Sequence, residues 1–223
     1  MRLSEADHGR VTAAVTQAET TTTGEIVTIV ARQSDAYHDV SLQWSVLAML
    51  LSLAVLALHP VAADHIYARL VDPWAQSAPQ GALFAIALVL MTLVFLGMRL
   101  LLTVPALRLA LTPGATKSRR VRRRAVMLFR AGAEKRTRGA TGVLLYLSLA
   151  EHRAEIVADS GIHSRVPNEI WGAAMAAVLS AVRDDRPADG MADAVAQIGT
   201  VLAEHFPRTG TANNELPDRL IEL

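Results

Sequence analysis

The sequence predicts an α/β fold, a small mixed-sheet sandwich whose chain is interrupted by a two-helix transmembrane hairpin. Three observations lead there. Two long charge-free apolar runs lie close together between Asp39 and Arg99. A short β-branched run, GEIVTIVAR at 24–32, and a short apolar run, TGVLLYLSLA at 141–150, stand on either side of them. The remaining segments carry apolar residues at helical spacing.

The first element is a helix from about 5 to 20. Ser4 and Asp7 form a capping-box pair, and Val11, Ala14, Val15 and Ala18 follow at helical intervals. A threonine run at 20–23 ends it, and EIVTIVAR from Glu25 is a strand whose blurred alternation fits burial on both faces.

The nineteen residues from Val40 to Leu58 carry no charge and make roughly 28 Å of helix, enough to cross a bilayer core. The second run, centred on GALFAIALVLMTLVFLGM from Gly81, ends at Arg99, which reaches the interface by snorkelling. With 52% hydrophobic residues and only 223 in all, the chain cannot build a soluble core large enough to hide both runs. The spans are placed at about 40–58 and 81–102. A polar, charged N-terminal segment precedes the first, which therefore lacks the layout of a cleaved signal peptide. The connector from 59 to 80 carries Arg69 alone among Arg and Lys, whereas 117–138 carries ten. The positive-inside rule then places both termini in the cytoplasm and the connector in the periplasm. Trp44, Tyr67 and Trp74 are candidate interface anchors.

After Pro113 and Gly114 comes KSRRVRRRAVMLFR, with seven positive charges from Lys117 to Arg130 although the net charge of the chain is only +1. Val121, Ala125, Leu128 and Phe129 form one apolar stripe, so the segment is an amphipathic helix with its arginines turned away from the core. Two apolar runs, Val143–Leu149 and Ala154–Ala158, flank Glu151, His152 and Arg153 and read as a β-hairpin. The loop SGIHSRVP leads to a helix from about Asn168 to Val182; DDRPADG is a polar break, and a last helix runs from about Met191 to Phe206. The domain plan is thus a first part of the sandwich at 1–39, the hairpin at 40–104, a second part at 117–207, and a polar tail at 208–223 that reads as surface or disordered.

This order of residues, a helix leading to GEIVTIVAR, then TGVLLYLSLAEHRAEIVADSGI, a helix containing Trp171 and a last helix ending near HFP, resembles the TPM domain family. Members are found in bacterial membrane-associated proteins and in chloroplast proteins linked to photosystem II repair. The resemblance covers about Ser4–Arg32 and Arg120–Phe206. It implies an α/β sandwich in the bacterial inner membrane, and it implies that acid phosphatase activity or calcium binding is available to the fold. Carried over, Asp159 matches the acidic position after the second hairpin strand.

Metal-assisted phosphate chemistry needs carboxylates converging on a hard cation. Asp159 is the candidate catalytic residue, and Asp159 and Glu25 are the candidate metal ligands, although the sequence places them at different ends of strands. Ser160 and His163 lack the strand-turn-helix elbow of a nucleophile, and Asp159 with Ser160 also fits a plain turn or cap. With no cysteine, disulfides, thiol catalysis and thiolate-bound zinc are excluded. Around the basic helix, Phe129 is the lone aromatic and belongs to the apolar stripe, which argues against nucleic acid. The lipid bilayer and its anionic headgroups are the expected partners of Arg119, Arg120, Arg122, Arg123 and Arg124, alongside a possible membrane-protein partner. The function expected is a membrane-anchored, noncatalytic partner-binding or scaffold role at the cytoplasmic membrane face; a metal-dependent phosphatase-like hydrolase is the alternative.

Overall fold

The computed structural model describes residues 3–132, 140–208 and 216–223. The chain forms two compact units, 1–35 with 114–223 and 36–113.

In the first unit, α1 (Glu5–Glu19) starts as the sequence predicts. The Asp7 N–H donates to Ser4 Oγ at 3.2 Å and the Ser4 N–H to Asp7 Oδ2 at 2.9 Å, closing a capping box. Strand β1 (Glu25–Ala31) is buried along its whole length. It pairs in parallel with β2 (Gly142–Ser148), which pairs antiparallel with β3 (Arg153–Ala158). The sheet is mixed and ordered β3-β2-β1-β4, with β4 formed by Ile221–Glu222 parallel to β1.

Because side chains alternate along a strand, each face of the sheet builds its own core. Ile26, Val30, Val143, Leu145 and Leu147 face α1, α8 (Gly172–Arg183) and α9 (Pro187–His205), joined by Val11, Val15, Val178, Ile198 and Leu202. Val27, Ile29, Leu144 and Tyr146 face α6 (Gly114–Gly132), whose Val121, Ala125 and Phe129 are buried and whose Leu128 packs beside them. The result is a layered α/β sandwich, as the two periodicities demand.

Three local departures from the sequence reading have physical causes. The polar break extends less far than its composition implies: Pro187 occupies the first turn of α9, where a missing N–H costs nothing. A 3-10 turn, Asn168–Trp171, precedes α8. The end of the tail is a strand rather than a loose end, because β1 would otherwise leave ladder groups unpaired. Leu223 N–H donates to Val30 O at 2.9 Å and Arg32 N–H to Leu223 O at 3.0 Å, with Leu216 and Leu220 buried. Thr16 Oγ1 donates to Asp218 at 2.9 Å, and His8 lies 3.3 Å from Glu222.

The second unit holds α2 (His38–Leu58), α3 (Pro60–Leu70), α4 (Gln80–Leu101) and α5 (Pro105–Ala110). Helices α2 and α4 are long and apolar enough to cross a membrane and pack on each other. The α4 surface contains no buried residue; Phe84 is 76% exposed and Leu100 73%. Helix α3 lies in the connector that the sequence left unassigned, started by Pro60 at its first position. Arg99 Nη1 donates to Ser41 Oγ at 3.2 Å, joining the end of α4 to the beginning of α2.

Candidate functional site

The sheet register brings the two candidate acids to one end. Glu25 opposes Gly142, and the Asp159 N–H donates to Gly142 O at 2.8 Å, so Glu25, Gly142 and Asp159 form one row across β1, β2 and the continuation of β3. The two acids lie at different ends of their strands, Glu25 at the start of β1 and Asp159 just past the end of β3, and the strand directions bring those ends together. β3 runs against β1, so the end of one lies beside the start of the other.

The row does not make a cage for a cation. Two strand spacings separate the two backbones by about 10 Å. Above Gly142 the space is apolar: a Cβ there would lie 3.7 Å from the Phe129 ring and 3.9 Å from Leu216 Cδ1. Glu25 Oε2 accepts the Leu216 N–H at 3.1 Å. Asp159 caps the short helix α7 (Ser160–His163), its Oδ1 accepting the Ser160 N–H at 2.8 Å. Its Oδ2 is buried without a hydrogen-bond partner. Among the described residues no three His, Asp or Glu side chains gather closely enough to hold a metal ion.

Glu19, which the sequence did not single out, stands next to this row. Its Oε1 accepts the Ile26 N–H at 2.7 Å, a ladder donor at the start of β1 that the short β4 does not reach. Burial pushes the Glu19 carboxyl up to about 8; Glu25 and Asp218 push the same way, against the Ile26 hydrogen bond and Arg208.

A second polar cluster lies where β1 and β2 end, beneath the face that carries α6. The Ser34 N–H donates to Glu151 Oε1 at 2.9 Å, Ser34 Oγ donates to Ser148 Oγ at 2.8 Å, and Ser148 Oγ donates to Glu151 Oε2. Since the Ser34 hydroxyl proton is committed to Ser148, the Tyr146 OH, 2.9 Å away, donates to Ser34. Burial raises the Tyr146 phenol above its ordinary value, which keeps it a donor. Tyr146, Ser148 and Glu151 are all buried. The signal available in the sequence was Tyr146 and Ser148 two apart in an apolar strand, on one face; Glu151 was obscured by its position in a polar turn.

The arginines of α6 divide into two sets. Arg120 pairs with Asp35 at 2.9 Å, and Arg124 is half-buried. Arg119, Arg122 and Arg123 are exposed, with Arg130 on the same side of the helix.

Fold and site together define a layered α/β sandwich with acids at one sheet end, a buried hydroxyl–carboxylate cluster at the other, and a basic helix on one face. Residues 102–201 match the model of the TPM domain family. The matched segment runs from α5 through most of α9, and β1 joins it through the parallel pairing with β2. The NMR structure of BA42 protein from the psychrophilic bacterium Bizionia argentinensis is similar in fold, with a TM-score of 0.57 at 15% identity, covering 100% of this chain and 96% of that one. No curated protein matches the chain.

Proposed function

We propose that the chain is a membrane-anchored TPM-domain protein that presents its sandwich to a partner at the cytoplasmic face of a bacterial inner membrane, without catalysis of its own. The observation that carries the anchoring is α4: twenty-two residues, none buried, with large apolar side chains exposed around the helix. Water would penalise such a surface at about 25 cal/mol per Å², whereas lipid would cover it. The noncatalytic part is supported by the apolar wedge of Phe129 and Leu216 above Gly142, between the two acids. Alkaline phosphatase fused within 59–80 is expected to be active and the same reporter after Leu223 inactive; the reverse pattern would overturn the topology.

A second reading is favoured by the buried Asp159 Oδ2, a carboxylate oxygen without a hydrogen-bond partner in a family for which phosphatase activity and calcium binding are expectations. In that reading Asp159 acts with a divalent cation on a phosphate monoester. It predicts phosphate release from an aryl phosphate that depends on calcium or magnesium and disappears in Asp159→Asn. Purified protein that binds neither ion and releases no phosphate removes it.

A further inference from the structure

The outer side of α6 carries Arg119, Arg122, Arg123, Val126, Met127 and Arg130 at i, i+3, i+4, i+7, i+8 and i+11, one continuous face opposite buried Val121, Ala125 and Phe129. We propose that this face docks on anionic lipid headgroups, a use that rests on the hairpin anchoring the chain in a bilayer.

Three features select lipid phosphate. The first is charge left outward: the Arg122 side chain is 74% exposed, and its ion pair with Glu155 is long at 4.0 Å. Arg120, by contrast, is only 20% exposed and tied to Asp35. Guanidinium forks match phosphate oxygens two at a time, and the stripe extends over about 16 Å, room for several headgroups. The second is apolar content at the centre of the stripe. Met127 is 49% exposed between Arg123 and Arg130, the arrangement of a helix lying in an interface with an apolar side chain below the headgroups. The third is reach, since only residues 102–113 connect the end of α4 to α6, at most about 40 Å of chain. Nucleic acid would call for stacking aromatics on this face, and Phe129 is spent in the core.

The chain contains no cysteine, so Met127→Cys takes a polarity-sensitive fluorophore at one place. The labelled full-length chain is assembled into nanodiscs of phosphatidylcholine alone or with phosphatidylglycerol. Emission is expected to shift to the blue only with phosphatidylglycerol and to return in about 1 M salt, where charges are screened within about 3 Å. Arg122→Gln with Arg123→Gln should weaken docking roughly 25-fold, about fivefold for each charge. Arg183→Gln with Arg186→Gln removes the same charge elsewhere on the sandwich and should leave docking unchanged. A chain that co-elutes with the discs but gives the same emission in both lipids overturns the docking face and leaves the anchoring intact. So does a blue shift produced by an RNA oligonucleotide on phosphatidylcholine discs, or an equal loss in the Arg183 and Arg186 variant. A chain that fails to co-elute with discs overturns the anchoring and the docking with it.

Discussion

Glu19 closes the first backbone donor of β1 that no neighbouring strand reaches, and it does so in surroundings that favour its protonated form. The folded carboxyl titrates at about 8 and the ordinary one at 4.5, so the folded state holds a proton that the unfolded state releases in between. Its contribution to stability is therefore complete below pH 4.5 and lost as pH rises through about 8. Glu19→Gln removes this titration; its melting temperature should change less between pH 5 and 9 than that of the unaltered chain, and an identical pH slope for the two would refute the assignment. At the other end of the sheet Glu151 receives the Ser34 N–H and the Ser148 hydroxyl while buried. Glu151→Ala strands both donors and should cost about 2–3 kcal/mol in denaturant unfolding, whereas Glu151→Gln, which keeps an acceptor oxygen, should cost less. Equal losses for the two would mean that acceptor chemistry is not what Glu151 supplies. Neither acid was legible in the sequence. Glu19 ends a helix and Glu151 sits in a turn, positions where carboxylates are ordinarily solvated, and only tertiary packing removes their water. Asp159 was legible as a cap, because the residue type and the following Ser-Gly report a local hydrogen bond.

Helices α1 and α9 show how closely elements approach in this sandwich. A Cβ on Gly199 would stand 2.6 Å from Ala18 Cβ and 3.2 Å from its Cα, so the two helices touch where neither has bulk. Gly199→Ala is expected to push them apart and cost about 1–3 kcal/mol despite the better helix propensity of alanine; a stabilised variant in thermal melts would contradict the close approach. On the opposite face, Phe129→Ala should cost about 3–5 kcal/mol and Met127→Ala less than about 0.5, since Phe129 is buried above Gly142 beside Leu216 whereas Met127 is exposed. The same pair explains what could be read in advance. The stripe of Val121, Ala125, Leu128 and Phe129 has a period that only a helix satisfies, and the apolar runs of β1, β2 and β3 are long enough to mark strands. The two-residue β4 has no pattern of its own; it exists because β1 offers an edge, and a sequence window cannot contain its partner 192 residues away, as in Ile29 with Ile221. The row of Glu25, Gly142 and Asp159 was hidden for a related reason, since the parallel or antiparallel sense of each strand pair decides which ends meet.

On the scale of the molecule, one domain is written in two pieces around an insertion. Both cores draw their buried side chains from 3–31 and 121–220, and none from 36–113. The pairing of β1 with β2 extends through seven residues from Glu25–Gly142 to Ala31–Ser148, and α6 supplies the crossover that parallel strands require. Among the described residues, the two cores are thus built from the first unit alone, and a shorter connection lowers the entropy cost of closing the β1 to α6 loop. The exposed apolar surface, in contrast, belongs almost wholly to the hairpin: Leu58, Phe84, Leu88 and Leu100 are each at least two-thirds exposed. If the proposed anchoring holds, replacing 36–113 by a flexible Gly-Ser linker should give a chain that stays monomeric without detergent and unfolds in a single cooperative thermal transition. Size-exclusion chromatography and calorimetry on the two proteins decide the matter. Aggregation of the linker protein in water, or loss of its cooperative transition, would mean that the sandwich cannot close without the inserted helices.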